Sequence, residues 1–256
     1  MLEQKYSGIK ASAGIAIGKA FLYQHIDFQI PTQKISDVNA ELNRLAAGLQ
    51  TATTQLEEIH RQALANLGEK EAEVFEGHLE ILGDEEIIEE IQDTIKTNLW
   101  SAEKACHEIY ESNARELAAL ENEYMRERAG DVRDIGNRLV YAVAGLQMSN
   151  LAKLNEEIIV IAEDLLPSDT AQMDRSKVLG FATSKGGPTS HVAIMAQSLE
   201  IPALVGARNI HNKIKNGDML ILDPSSEQII VNPVEKSLQY YRKRQAEYYQ
   251  EQEELL

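Results

Sequence analysis

Cysteine is almost absent from this 256-residue chain, which contains only Cys106, so a disulfide framework within the chain is excluded. No apolar run approaches the roughly 18 residues that cross a membrane, and the N-terminal residues lack the apolar core of a signal peptide. A cytoplasmic location is therefore expected. Basic residues are also few: the chain has 25 Lys and Arg but 41 Asp and Glu, which gives a net charge of −16. Nucleic acid and anionic membrane are thus disfavoured as main partners, since both require a basic surface.

Proline is missing from residues 32–166, and glycine is sparse in the first part of that stretch. As far as Leu146, apolar side chains recur at helical spacing. We expect four or five helices there, with breaks at Gly68, Gly83 and Gly130. A segment of this length can bury a core of its own.

Short strands are predicted on both sides of the helical stretch. Residues 6–23 alternate glycine, alanine and β-branched residues without helical periodicity, which favours strands joined by glycine turns. Four short apolar runs follow the helical stretch, at residues 158–162, 178–182, 203–206 and 219–223. One helix, over 191–199, is predicted between the second and third of them. Strands alternating with a helix indicate an α/β domain.

The simplest architecture is a discontinuous α/β domain with an all-helical domain inserted into it. Residues 1–30 and 147–234 would form the α/β domain, residues 31–146 the helical domain, and residues 235–256 a charged linker helix that extends away from the body. A single α+β domain without a separable insertion is the alternative that this pattern leaves open.

The helical stretch also carries most of the negative charge. Residues 31–149 hold 24 acids and 11 bases, a net charge of −13, and ten of these acids lie between Glu69 and Glu90 beside one base. Such a run is compatible with a solvated helical face. It is also compatible with a docking surface for a basic protein, to which neighbouring apolar residues would add contact area.

The segment with the clearest chemistry runs from Gly186 to His191. Its two glycines allow the backbone to turn sharply and approach an anion, and Thr189 and Ser190 add hydroxyls at the start of a helix. Helix N-termini suit phosphate, so a histidine there could carry a covalent phosphoryl group on one ring nitrogen. A structural role for His191, as a cap or core residue, stays open at this point. The segment matches neither a Walker loop nor a nucleophile elbow, and no neighbouring His or Cys completes a zinc site.

The same segment, together with residues 192–206, resembles the phosphohistidine signature of the PEP-utilising enzymes. Within that group the chain is most similar to the enzyme I family, the PEP-protein phosphotransferases of the bacterial sugar phosphotransferase system. Further segments carry the resemblance, at residues 7–9 with 13–16, 75–78, 127–136 and 166–171. The similarity runs over essentially the whole chain.

The resemblance implies a swivelling, discontinuous phosphohistidine α/β domain and an inserted helical bundle that binds the small basic carrier protein HPr. It implies phosphoryl transfer from PEP to His191 and then to a histidine of HPr. It further implies that PEP and magnesium are bound by a C-terminal domain that this chain lacks, so no cofactor or metal is expected here. The fragment is expected to be monomeric and the full-length enzyme to be a homodimer.

The resemblance also assigns roles to individual residues. His191 would accept and donate the phosphoryl group through Nε2, and the Thr170 hydroxyl would bond the other ring nitrogen. The phosphate loop would consist of Gly186, Gly187, Thr189 and Ser190. The HPr contacts would come from Glu69, Glu76, His78, Ile81, Leu82, Glu85, Glu86 and Arg128.

Two positions depart from the family pattern, because Pro188 and Gln197 stand where arginine is expected. Two positive groups near the phosphate are therefore missing, and the site would rely on backbone N–H groups or on the absent domain. Two alternative functions stay open. One is the phosphohistidine domain of a PEP synthase or pyruvate phosphate dikinase, which has no evident use for an acidic insertion. The other is a regulatory module that no longer transfers phosphate.

Overall fold

A computed structural model describes residues 2–24, 28–148, 151 and 154–254. The chain divides by its contacts into two compact units, one made of residues 1–24 and 150–256 and the other of residues 25–149. The first unit is an α/β fold assembled from both ends of the sequence, and the second is helical throughout its described secondary structure. The predicted discontinuous architecture is thereby confirmed, and the alternative of a single α+β domain is wrong.

Within its described residues the helical unit has five helices, in agreement with the predicted four or five. They are α1 (Val38–Asn66), α2 (Glu69–Leu82), α3 (Glu85–Asn98), α4 (Ala102–Ala118) and α5 (Glu123–Val143). Gly68 and Gly83 lie at helix ends, as expected. The predicted break at Gly130 is wrong, because this exposed residue lies inside α5. An interior glycine costs only about 1 kcal/mol of helix propensity relative to alanine, so the helix continues through it.

Side-chain caps and close helix packing define this bundle. Four helices begin after a residue whose side chain accepts a first-turn N–H, namely Asp37, Asp84, Ser101 and Asn122. These caps satisfy donors that a helix leaves unpaired. A side chain at Gly48 on α1 would collide with Val143, and one at Gly136 on α5 would collide with Tyr110. The two glycines therefore let α1 and α4 approach α5 closely.

The α/β unit is built on an eight-stranded sheet. Its strands are β1 (Gln4–Ser7), β2 (Ile9–Ser12), β3 (Ala16–Tyr23), β4 (Ile158–Ala162), β5 (Val178–Thr183), β6 (Ala203–Val205), β7 (Met219–Asp223) and β8 (Gln228–Val231). Their spatial order is β1-β8-β7-β3-β4-β5-β6-β2. Strands β3 to β6 are mutually parallel, and the other pairings are antiparallel. Every predicted strand is present. Strand β8 was missed by the sequence analysis, although a turn followed by the β-branched run 229–231 is typical of a hairpin.

Among its described residues the α/β unit has three α-helices, α6 (Pro167–Ala171), α7 (His191–Ser198) and α8 (Glu235–Glu254), and a short 3-10 helix over Ile210–Asn212. The predicted picture of a C-terminal helix that extends away from the body is wrong for its first half. Tyr241 of α8 is buried with Ile15, Ile221 and Ile230 against one face of the sheet. The helix has an aromatic and aliphatic side that the sheet can bury, in spite of its many charges. The last two residues of the predicted helix, 255 and 256, lie outside the described residues.

The parallel strands bring three loops to one edge of the sheet. Because β4, β5 and β6 run in the same direction, their C-terminal ends lie together. The loops that leave this edge begin at Glu163, Ser184 and Gly206. Ligands of open parallel sheets bind at such carboxyl ends. The second of these loops contains the glycine pair and leads into α7, so the fold places the motif where a site is expected.

Candidate functional site

The loop from β5 to α7 is held firmly at its start. Lys185 donates its N–H to the carbonyl oxygen of Glu163 over 2.9 Å, and its own carbonyl accepts from the N–H of Gly206 over 3.1 Å. The ends of β4 and β6 thus clamp Lys185 from both sides. Gly186 follows with φ of +91°, a conformation that glycine adopts without strain. The chain therefore turns back sharply at a rigid point.

Ser190 and His191 begin helix α7. The Ser190 hydroxyl donates to the carbonyl of Gly187 over 2.8 Å and accepts from the N–H of Ala193 over 3.3 Å, so it closes the loop and caps the helix. His191 is the first helical residue and is half-buried. Within the part of the chain that the structure describes, its ring makes no hydrogen bond. A ring nitrogen is thus available for bonding to phosphorus, next to the N–H groups of a first helical turn.

Thr170 lies on α6 and is fully buried, but its hydroxyl is not bonded to His191. It donates to the carbonyl of Pro167 over 2.9 Å, and its Oγ1 lies 2.8 Å from Sδ of Met195. The predicted bond to the second ring nitrogen of His191 is therefore wrong for this structure. A threonine hydroxyl in a helix readily bonds a carbonyl three or four residues back, and that local partner satisfies it here. Because Met195 lies one turn after His191, Thr170 still packs against α7.

The two positions that depart from the family pattern both present neutral groups. Pro188 is exposed in the loop beside Thr189, which is also exposed. Gln197 donates its side-chain amide to the carbonyl of Ala11 over 2.7 Å and so ties α7 to β2. Neither position supplies positive charge to a phosphoryl group on His191.

An ion pair that the sequence analysis missed lies at the start of the loop. Nζ of Lys185 is 3.0 Å from Oε1 of Glu163, and both side chains are more than half exposed. The hydrogen bond from Lys185, and then its charge, lower the pKa of the Glu163 carboxyl. Beside this pair, Oγ of Ser184 lies 2.6 Å from Nδ1 of His211. The sequence signal was present, since Glu163 and Ser184 directly follow the ends of β4 and β5.

The helical unit presents a dense negative surface on α2 and α3, which we call the acidic face. Its exposed carboxylates are those of Glu69, Glu73, Glu76, Glu80, Asp84, Glu85, Glu86, Glu89 and Glu90. All four glutamates predicted to contact a basic partner are among them. Ile81 and Arg128, also predicted contacts, are half-buried, and a Cβ at Gly77 would lie 3.3 Å from a guanidinium nitrogen of Arg128.

Two predicted contact residues do not reach this surface. His78 and Leu82 are each 1% exposed and belong to the core of the helical unit. The prediction that they contact a partner is therefore wrong. Ala72 and Phe75 are buried on the same helix, and the spacing of the four residues is that of one helical stripe. Periodicity within α2 could thus have assigned His78 and Leu82 to the core.

Comparison with known proteins identifies the family to which the chain belongs. The chain matches the model of the PEP-utilising enzyme N-terminal domain over residues 7–128 and that of the PEP-utilising enzyme mobile domain over residues 154–227. A solved structure of an Enzyme I protein (nEIt) is 44% identical, with a TM-score of 0.82, and the match covers 95% of this chain and 99% of that one. The chain is a member of the enzyme I family.

Two curated members of the enzyme I family show how much of such a protein the chain represents. The phosphoenolpyruvate-protein phosphotransferase of Priestia megaterium is 41% identical over 253 residues, and that of Geobacillus stearothermophilus is 44% identical over 246 residues. These matches cover 99% and 96% of this chain but only 44% and 43% of the relatives. This enzyme I sequence therefore spans less than half the length of the curated relatives it matches. Among the described residues, no helix is long and apolar enough to cross a membrane.

Proposed function

We propose that this chain carries a phosphoryl group on His191 and exchanges it with a histidine of a basic HPr-type carrier. The observation that carries the proposal is the position of His191, half-buried and without a hydrogen bond to the described residues, at the start of α7. The glycine loop in front of it is clamped by the ends of β4 and β6. The relatives named phosphoenolpyruvate-protein phosphotransferase support this assignment.

The transfer itself demands little of the protein beyond position and charge. The transition state of phosphoryl transfer is loose, with negative charge spread over the equatorial oxygens. A neutral imidazole is already a competent nucleophile, so no general base is required. Loop and first-turn N–H groups can face these oxygens when the phosphoryl group is on His191. Gly187 is open on its Cα side, with nothing within 4 Å of a Cβ built there, so a phosphoryl group can approach its backbone.

The acidic face is the proposed docking surface for the carrier. Its nine exposed carboxylates would attract a basic protein and steer the encounter, while half-buried Ile81 adds apolar contact area. Arg128, half-buried close to Gly77, would supply a specific polar contact at the edge of this surface.

PEP is the proposed original source of the phosphoryl group in the whole protein. We assign the binding of PEP and magnesium to the part of the relatives that this chain does not cover, because relatives named phosphoenolpyruvate-protein phosphotransferase extend well beyond the match, which covers 44% of one of them. No step here is derived through magnesium. We further propose that the chain acts in the cytoplasm, is monomeric by itself, and belongs to a homodimer at full length.

The two alternative functions have less support. A fragment of a PEP synthase or dikinase would not need the acidic face. In this chain nine of the ten acids of residues 69–90 are exposed, as a docking surface requires. A regulatory module without transfer would not need a half-buried His191 ring behind a clamped glycine loop. Both features favour a phosphoryl-transferring domain that binds a basic protein.

Incubation with phosphorylated HPr tests the proposal. The protein is expected to gain one acid-labile phosphate, detected by intact-mass spectrometry and mapped to His191. His191→Ala is expected to abolish the gain with an unchanged circular dichroism spectrum, because the ring makes no structural hydrogen bond in the described residues. Phosphorylation of the His191→Ala protein at the wild-type level would reject His191 as the acceptor. The absence of any phosphate on the wild type would favour the regulatory alternative.

A further inference from the structure

The loop that leads to His191 carries a cation, Lys185, directly before the glycine pair of the motif. The side chain of Lys185 leaves the backbone one residue before the glycine turn, at the point that β4 and β6 clamp. A Cβ at Gly186 would lie 3.6 Å from Oγ of Ser190, so the loop folds back on the residue that precedes His191. The start of the loop, with Lys185, is therefore close in space to the start of α7.

A phosphoryl group on His191 would need a positive group nearby, and Lys185 is a candidate for it. No Lys or Arg occurs between His191 and Ala207, and Pro188 adds no charge. A phosphoryl group on an imidazole nitrogen nevertheless brings about two negative charges, which backbone dipoles alone neutralise only in part. Lysine is a common phosphate ligand because its ammonium is a compact point charge on a flexible stem.

The present partner of Lys185 is one that can be exchanged. Glu163 and Lys185 are both more than half exposed, and water screens a solvent-exposed ion pair so that it holds its partners only weakly. A phosphoryl group carries more charge than one carboxylate, so it can compete for the ammonium. Glu163 would then hold Lys185 in an extended, ready position when no phosphoryl group is present.

We propose that Lys185 is a catalytic residue of the phosphoryl transfer at His191, whose ammonium leaves Glu163 and contacts the transferring phosphoryl oxygens. This inference rests on the proposed function, because it assigns a further residue to the same reaction. It also gives a structural reason why a neutral residue is tolerated at Pro188.

The step balances without any further reactant. An electron pair of the neutral His191 ring forms the new P–N bond, and the pair of the breaking P–N bond returns to the carrier's ring. The carrier's phosphorylated ring is protonated on its other nitrogen and leaves as neutral imidazole, so the positive ring charge passes to His191. The Lys185 ammonium keeps its protons and contacts the oxygens, whose negative charge it stabilises through the transition state.

Two measurements test this role on Lys185→Met, with Lys185→Arg as the conservative rescue and Lys236→Met as the matched control. Lys236 is exposed and follows β8, from which β5 is separated by three strands of the sheet. In rapid-quench experiments, phosphorylation by phospho-HPr should be about tenfold slower for Lys185→Met than for the wild type. This decrease in rate is smaller than that caused by removing a water-excluded oxyanion donor, because solvent screens the charge of Lys185. The dissociation constant of HPr should not change. Lys185→Arg should recover most of the rate, and Lys236→Met should match the wild type.

The second measurement does not depend on HPr. Inorganic phosphate is titrated into 15N-labelled protein, and the amide shifts of residues 185–187 and 189–191 are followed. Saturable shifts in the wild type that weaken at least fivefold in Lys185→Met support an anion contact by Lys185. Equal titrations of the two proteins, or a Lys185→Met transfer rate within twofold of the wild type, overturn the proposal. If phospho-HPr does not phosphorylate the wild type, the proposed function fails, and the phosphate titration still decides whether Lys185 binds the anion.

Discussion

The imidazole of His78 lies in the core of the helical unit, with Nε2 3.5 Å from Oδ1 of Asp131. Both residues are buried, and the ring of Phe75 meets the imidazole edge-on with centroids 5.5 Å apart. The pair connects α2, which carries part of the acidic face, to α5. His78 therefore supports the proposed docking surface from beneath and does not form part of it.

Replacing His78 with alanine is expected to destabilise the helical unit. The change removes a fully buried side chain from its contact with Phe75 and from its place beside Asp131. We expect the free energy of unfolding to fall by about 2–4 kcal/mol, measured by urea denaturation. Glu80→Ala, at an exposed position of the same helix, should stay within about 0.5 kcal/mol of the wild type. A His78→Ala protein of undiminished stability would contradict the burial of this side chain.

Reversing charge on the acidic face is expected to weaken HPr binding. Glu85 and Glu86 are exposed in the first turn of α3, and Lys at both positions should raise the dissociation constant at least tenfold by calorimetry. The wild-type affinity should itself fall with added salt, since the Debye length is about 8 Å at physiological ionic strength. The control is Glu251→Lys with Glu253→Lys, an equal charge change on exposed residues of α8.

The Glu85→Lys and Glu86→Lys substitutions also remove negative charge from the N-terminus of α3, which can destabilise that helix. The stability of this variant is therefore measured together with its affinity for HPr. A thermal melt that still shows a folded helical unit makes the binding result interpretable. If the folded variant binds HPr as tightly as the wild type, and salt has no effect, then the acidic face is only a solvated surface.

The buried carboxylate of Asp223 should give the α/β unit a pH-dependent stability. Arg244 of α8 donates to its Oδ2 over 2.6 Å, and the Ser226 hydroxyl donates over 2.6 Å as well. Burial raises the pKa of Asp223, but the hydrogen bonds from Ser225, Ser226 and Arg244 lower it on balance. A depressed pKa in the folded state stabilises the protein above the unfolded value of about 3.9. That contribution is lost as the pH falls through the folded pKa.

Arg244→Met is therefore expected to cost about 2 kcal/mol of unfolding free energy at pH 7. The difference from the wild type should shrink below about pH 4, because a protonated Asp223 no longer attracts the guanidinium. Urea denaturation at pH 7, 5 and 3 measures this trend, with Arg242→Met, exposed on the same helix, as the control. A loss that is constant over the whole pH range would mean that the ion pair does not stabilise the fold.

PEP and magnesium alone are expected to leave this chain unphosphorylated. PEP is a small trianion whose enolate leaving group needs a metal or an arginine clamp. Pro188 and Gln197 offer no such clamp beside His191, and no metal-holding group occurs among the described residues. Intact-mass spectrometry after incubation, with phospho-HPr as the positive control, checks this expectation. Stoichiometric phosphohistidine from PEP alone would place the donor site within these 256 residues.

Much of the fold was predictable because it follows from local patterns. The helices of the helical unit can be predicted without knowledge of its packing, because their signals extend over only a few residues. These signals are the helical spacing of apolar residues, the absence of proline and the N-caps Asp37 and Ser101. Gly130 shows the limit of such signals, since a glycine inside α5 looks in sequence like one at a helix end. The strand β8 is a different case, because the turn and the β-branched run 229–231 were a local signal for its hairpin with β7 that the sequence analysis did not use.

The sequence by itself determined the helical character of residues 31–146, the charge of the acidic face and the motif that ends at His191, because each depends on residues that are close along the chain. That the strands from both ends of the chain form one sheet was decided by the tertiary structure. Only the tertiary structure decided which side chains meet. It placed the Thr170 hydroxyl against Sδ of Met195 and not against His191. It brought Lys185 to Glu163 because β4 and β5 are parallel neighbours whose C-terminal ends coincide. Such contacts depend on strand order and packing, which no local pattern of residues specifies.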